Sequence, residues 1–180
     1  LPRLPFAEEL PGLGEVARGL SSASWPAGAC PYSSALFVYD GRHTKAAMPL
    51  PSVDSEDLLR QCIRYGTVMV MHSGNHWRRL GSLALASVEH LQVPSNNTIF
   101  LTDGGREHSL NLHTDNHNVL ILQALGSKRW KVWNPPARAR GPDPLARGKH
   151  HDSIDPEELG EALLDVDLLP GQALLVPMGF

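Results

Sequence analysis

The chain has 180 residues, 42% of them hydrophobic and 19% charged, with a formal net charge of −3. This is an ordinary globular balance, sufficient for one domain with a real core or for one domain and a small extension. There is no basic surplus, so direct nucleic-acid binding is not expected, and no apolar run approaches a membrane span in length.

Two cysteines, Cys30 and Cys62, do not make a disulfide framework and read as reduced thiols of an intracellular protein. No signal-peptide pattern opens the chain. Residues 1–53 are rich in Pro, Gly and Ser and read as an N-terminal extension, with a short helix around Glu15–Leu20 and a strand at Ala35–Tyr39. Asp54 or Ser55 can cap a helix whose Leu58, Leu59, Cys62 and Ile63 share one face, with Gly66 as its stop. A strand over 67–72, TVMVMH, follows it. Trp77, Leu80, Leu83, Ala84, Val88 and Leu91 then recur at helical spacing before Pro94.

From Thr98 onward the pattern changes to short apolar runs between turns: TIFLT, NVLILQAL, RWKVW and QALLVP. These predict an all-β half. Residues 135–153 form a loop, and a short helix is expected from Ser153 or Asp155 through Leu164. The chain starts at Leu1 and stops just past the turn Pro177-Met178-Gly179, which predicts a fragment lacking the strand that would come next.

The chemistry concentrates in LNLHTDNHNVLILQALGSKRWKVW, beginning at Leu110. In an extended strand, residues i and i+2 face the same side, so His113 and Asp115 can both point inward. An imidazole nitrogen and a carboxylate oxygen are two legs of the facial triad that leaves positions open on Fe(II). Spacing alone is weak, since His150-His151-Asp152 repeats it in a polar loop. Only His113-Thr114-Asp115 leads into an apolar strand and then into Gly126-Ser127-Lys128-Arg129-Trp130. A buried Lys128 needs an anion, because an unpaired buried charge is costly. The distal carboxylate of 2-oxoglutarate is one candidate.

Competing structural readings exist for each residue. His113 alone is a satisfied core histidine, and Lys128 alone is a snorkelling surface lysine. His117 shares the nominal face of His113 and Asp115, as a third ligand or as a supporting hydrogen-bonding residue. His150, His151 and Asp152 read as solvated loop. Trp130 and Trp133 fall on opposite faces, one of them packing in the core. Arg138, Arg140 and Arg147 form a solvated face or border an acidic substrate.

Taken together, Phe100-Leu101-Thr102, His113-Thr114-Asp115, His117, Val119 to Gln123 and Gly126-Ser127-Lys128-Arg129-Trp130 resemble the JmjC-type cupin oxygenases, most closely the ribosomal-oxygenase-like branch. The resemblance covers about residues 54–180. It implies a double-stranded β-helix (a jelly-roll cupin), mainly β with α, preceded by a helical and mixed N-terminal extension and lacking C-terminal strands. It further implies His113 and Asp115 as Fe(II) ligands, Lys128 as the partner of the 2-oxoglutarate carboxylate, and Thr102 as a cosubstrate or supporting contact. O2 would be the second cosubstrate.

The sequence departs from the family pattern in three places. Asn118 stands where the family has Asp, and Thr102 to Glu107 replaces a Pro-Gly-rich loop. Pro177-Met178-Gly179-Phe180 matches only the start of a Pro-x-Gly-aromatic-x-His motif, whose histidine would be the third ligand. The 180-residue chain alone is therefore expected to turn over little.

The implied activity is hydroxylation of a protein substrate, such as a ribosomal protein or a histone, or demethylation by hydroxylating an N-methyl group. The nucleus, nucleolus and cytoplasm stay open as compartments, and so does a homodimer. Two other readings remain: a non-catalytic cupin-like binding module, and a metal-dependent cupin that does not use 2-oxoglutarate.

Overall fold

The structure, a computed structural model, describes residues 12–22, 35–39, 44–49, 56–70, 78–105, 109–110, 112–134 and 154–180. Outside them lie Cys30, the cap at 54–55, Trp77, the arginines at 138, 140 and 147, and His150 to Asp152. The architecture is mixed α/β, and every strand pairing is antiparallel. The chain divides into two compact units, one ending at Leu110 and the other running on to Phe180.

In the first unit, α1 spans Leu13–Ser22. The Gly12 amide donates to Glu15 Oε2 at 3.0 Å while the Gly12 carbonyl accepts the Glu15 and Val16 amides. This reciprocal bonding satisfies donors that every helix start leaves open. α2 spans Glu56–Tyr65, with Glu56 and Asp57 in its first turn and Arg64 in its last, as the helix dipole favours. The Gly66 amide donates to the Cys62 carbonyl at 3.2 Å, where the helix was expected to stop.

α1 and α2 bury Val16, Ala17, Leu59 and Cys62 together with Val68 and Val70, and Leu13, Ile63, Ile99 and Leu101 pack around them. Val68 and Val70 belong to β3, Thr67–Val70. β3 lies inside a four-stranded sheet of order β2-β1-β3-β4, with β1 at Ala35–Tyr39, β2 at Thr44–Pro49 and β4 at Ile99–Leu101. Thr67, Val68 and Val70 are all buried, which is why this strand reads as a continuous run rather than an alternating one. β2 is not expected from the sequence. Its Lys45, Ala46 and Ala47 are poor strand formers, and it exists as an edge strand by pairing with β1, with a proline at its end. α3 spans Arg78–Leu91 and buries Leu80. It stops at Gln92, whose φ of 57° is left-handed and whose amide still reaches the Val88 carbonyl.

The second unit holds β5 (Val119–Leu122), β6 (Lys128–Val132), β7 (Leu164–Leu168) and β8 (Ala173–Val176). β5 pairs with β8 and β6 with β7, a nested arrangement. Gly126 at φ 61° and Gly171 at φ 84° turn the chain where a side chain would be strained.

One expectation fails here. The helix proposed to run through Leu164 is only a 3-10 turn, Pro156–Glu158, capped by Asp155, and Leu164 opens β7. The sequence Leu-Asp-Val-Asp-Leu alternates with period two. Leu164 and Val166 are half-buried, Asp165 and Asp167 face water, and Leu168 is fully buried. That alternation, paired across to β6, outweighs local helical preference. No helix among the described residues is long and apolar enough to cross a membrane.

Candidate functional site

His113, Thr114 and Asp115 lie just before β5, in irregular backbone rather than in a strand. The strand expected here does not form, and Thr114 is more deeply buried than its two neighbours. Thr114 is 2% exposed and turns into the protein, while His113 Nε2 and Asp115 Oδ2 approach to 3.8 Å. Their side chains are 23% and 17% exposed, sheltered yet reachable from solvent.

Asp115 is held from behind by the end of the chain. Its amide donates to the Phe180 carbonyl at 3.3 Å, and its carbonyl accepts the Gly179 amide at 2.8 Å. The Met178 amide donates to Asn118 Oδ1 at 2.9 Å. Asn118, noted as a departure from the family pattern, thus joins the turn at Pro177–Phe180 to the segment carrying Asp115. His117 is exposed, with Nδ1 2.9 Å from Asn116 Oδ1.

Lys128 opens β6 opposite Leu168. Along the strand Lys128, Trp130 and Val132 are half-buried, while Arg129 and Lys131 face outward. The outer cations share a carboxylate. Arg129 donates to both oxygens of Asp165 at 2.6 and 2.7 Å, and Lys131 lies 3.6 Å from it. The hydrogen bond from Arg129 holds the Asp165 carboxyl below the usual carboxylate range. Lys128 has no such partner among the described residues. Burial pushes its ammonium below the ordinary lysine value, and its Nζ lies over the Trp130 ring, 5.5 Å from the centroid. A cation over an indole at this range gains about 0.5–2 kcal/mol, which offsets only part of the cost of burying a charge.

Thr102 lies in the first unit, immediately after β4. Its hydroxyl is 3.4 Å from that of Thr67, which is 1% exposed and donates to the Ser109 carbonyl at 2.8 Å. Since Thr67 spends its proton on Ser109, Thr102 is the donor in the longer bond. The sequence reading treated Thr67 only as a strand residue. A hydroxyl opening an otherwise apolar run was the available signal.

The donor set suits a divalent first-row cation: one neutral imidazole and one carboxylate. With bonds of about 2.0–2.2 Å, two adjacent donors on one octahedral ion stand about 3 Å apart. The observed 3.8 Å needs less than an ångström of adjustment. No group of three or more His, Cys, Asp or Glu residues that could hold a metal occurs among the described residues.

Comparison with known proteins points the same way as this chemistry. The family model for the JmjC domain matches residues 73–180. Curated relatives include the bifunctional lysine-specific demethylase and histidyl-hydroxylase NO66 of Drosophila yakuba, 37% identical over 67 residues, which are 37% of this chain and 9% of that protein. The protein of the same name from Dictyostelium discoideum is 29% identical over 107 residues, 59% of this chain and 19% of its own length. The chain therefore spans less than a fifth of the length of these relatives.

Proposed function

The chain belongs to the JmjC domain family, and from that premise we propose that it carries the metal and cosubstrate site of an Fe(II)- and 2-oxoglutarate-dependent oxygenase. The reading rests above all on one observation, the convergence of His113 Nε2 and Asp115 Oδ2 at 3.8 Å. His113 and Asp115 hold the iron. When bound, the iron supplies O2 activation, coupling decarboxylation of 2-oxoglutarate to hydroxylation of a substrate C–H bond.

The chain's own residues do the positioning. The Gly179–Phe180 turn fixes the Asp115 backbone, so the carboxylate is presented without a large conformational search. Lys128 provides the charge for the distal carboxylate of 2-oxoglutarate, and its lack of an acidic partner among the described residues supports that role.

Residues 54–180 form a jelly-roll cupin domain in this proposal, with 1–53 as an extension. The nested pairings β5·β8 and β6·β7 support it, because a double-stranded β-helix is built by folding one long hairpin over on itself. The relatives' names describe lysine demethylation and histidyl hydroxylation. By extension the substrate is a protein, such as a ribosomal protein or a histone, acted on inside the cell.

Anaerobic titration with Fe(II) in the presence of 2-oxoglutarate tests the proposal without requiring turnover. His113→Ala and Asp115→Ala should each weaken metal binding at least tenfold while the thermal midpoint stays near that of the parent. Unchanged metal affinity in both variants would remove these residues from the site.

A further inference from the structure

The two faces of β6 differ in how their donors are satisfied. On the outer face, Arg129 and Lys131 share the Asp165 carboxylate. On the inner face, Lys128 has no carboxylate among the described residues. Two residues on, the indole Nε1 of Trp130 is buried and has no hydrogen-bond partner among the described residues. A buried N–H without an acceptor keeps its full desolvation cost, and native proteins rarely leave one so. The two unmet donors are neighbours, with Lys128 Nζ 5.5 Å from the Trp130 ring centroid. One is cationic and one is neutral, and among the described residues both lack an acceptor, which a single carboxylate can supply.

We propose that Trp130 is a cosubstrate-binding residue, its indole N–H donating to the same carboxylate whose charge Lys128 neutralises. This rests on the reading of Lys128 given above and extends it. A carboxylate offers two oxygens, each able to accept a hydrogen bond of about 2.8 Å, so one group reaches both donors. In the ligand-free protein the ammonium covers the indole ring and the N–H is closed to water. Arrival of the anion draws the flexible lysine stem off the ring and toward the carboxylate. The pair then selects for a diacid over a 2-oxo acid that ends in a methyl group, because only the diacid satisfies both donors. Its absence leaves them unmet, and that is a larger discrimination than shape alone provides.

Trp130→Phe keeps an aromatic ring under Lys128 and removes only the N–H. With Fe(II) bound anaerobically, calorimetry should show 2-oxoglutarate affinity falling about tenfold or more. Affinity for 2-oxobutyrate, which lacks the distal carboxylate, should stay within twofold, as should metal affinity. In the unsubstituted protein the Trp130 indole 15N–1H resonance, assigned by its loss in the variant, should move downfield on addition of 2-oxoglutarate and not of 2-oxobutyrate. This second measurement stands even if the variant folds poorly. An unmoved resonance, or equal losses for both acids, overturns the role of Trp130. If Lys128→Met weakens 2-oxoglutarate while Trp130→Phe does not, the oxygenase reading survives and this inference falls. If neither variant affects 2-oxoglutarate binding, both fall.

Discussion

Gly179 donates its amide to the carbonyl of Asp115 at 2.8 Å, from a backbone φ of 93°. A residue of the turn after the last strand thereby sets the position of a candidate metal ligand far earlier in the chain. Only glycine adopts this φ without strain. Gly179→Ala should cost about 1–2 kcal/mol of stability and weaken Fe(II) binding several-fold through displacement of Asp115. Thermal denaturation and metal titration of the same samples check it. A variant that loses stability but keeps full metal affinity would separate the turn from the site.

Lys128 should act against stability and in favour of binding. Replacing it with Met keeps the stem length, removes a buried charge that lacks an acidic partner among the described residues, and gives up the contact with Trp130. Lys128→Met should raise the stability of the ligand-free protein by on the order of 1 kcal/mol and reduce 2-oxoglutarate affinity at least tenfold. A drop in stability would instead mark the lysine as part of the fold.

The same residue sets a pH dependence. Its folded pKa is lowered by burial, so between that value and the unfolded one, about 10.4, the unfolded chain holds more protons. Stability then rises with pH across this window. The cost of the buried ammonium is fully present below the lowered pKa and gone above the unfolded one. The stability advantage of Lys128→Met should therefore shrink as pH climbs through the window. The affinity of the unsubstituted protein for 2-oxoglutarate should fall over the same range, and urea titrations and calorimetry at several pH values measure the two trends.

Thr67→Val preserves side-chain shape and deletes a hydroxyl that is 1% exposed. The Ser109 carbonyl loses its donor at 2.8 Å, and Thr102 loses its partner. We expect a destabilisation of about 1–3 kcal/mol, with Thr67→Ser recovering most of it. Full stability in Thr67→Val with a loss in Thr67→Ser would show that the methyl group, rather than the hydroxyl, matters at this position.

Leu59 is fully buried between α1, α2 and the sheet. Leu59→Ala should cost about 2–5 kcal/mol. If the two units respond independently, metal binding by His113 and Asp115 should be retained at temperatures below the new midpoint, as titration after a melting curve would reveal.

Much of the fold could be read from local pattern. Helices α1, α2 and α3 follow from apolar spacing and stop signals, and β5, β6 and β8 follow from short apolar runs between turns. β7 was legible but overlooked. Its Leu-Asp-Val-Asp-Leu alternation was hidden by the acidic residues and the Pro-Glu-Glu start just before it, which favour a helical turn. β2 was not legible, because weak strand formers become a strand only when β1 supplies the partner.

By itself the sequence determined which donors exist and which of them share a side. Period-two geometry is local, so Lys128 and Trp130 are on one face of β6 whatever the strand pairs with, while His113 and Asp115 lie in irregular backbone and converge through the fold. Tertiary structure decided what surrounds those faces. The turn at 177–180 bonds to Asp115 and Asn118. Asp165 meets Arg129 rather than Lys128 because Val166 lies opposite Trp130 in the β6·β7 register, with Asp165 facing outward beside it. Burial and hydrogen-bond satisfaction depend on residues distant in the chain, so no local pattern announces that the Trp130 N–H meets no acceptor among the described residues.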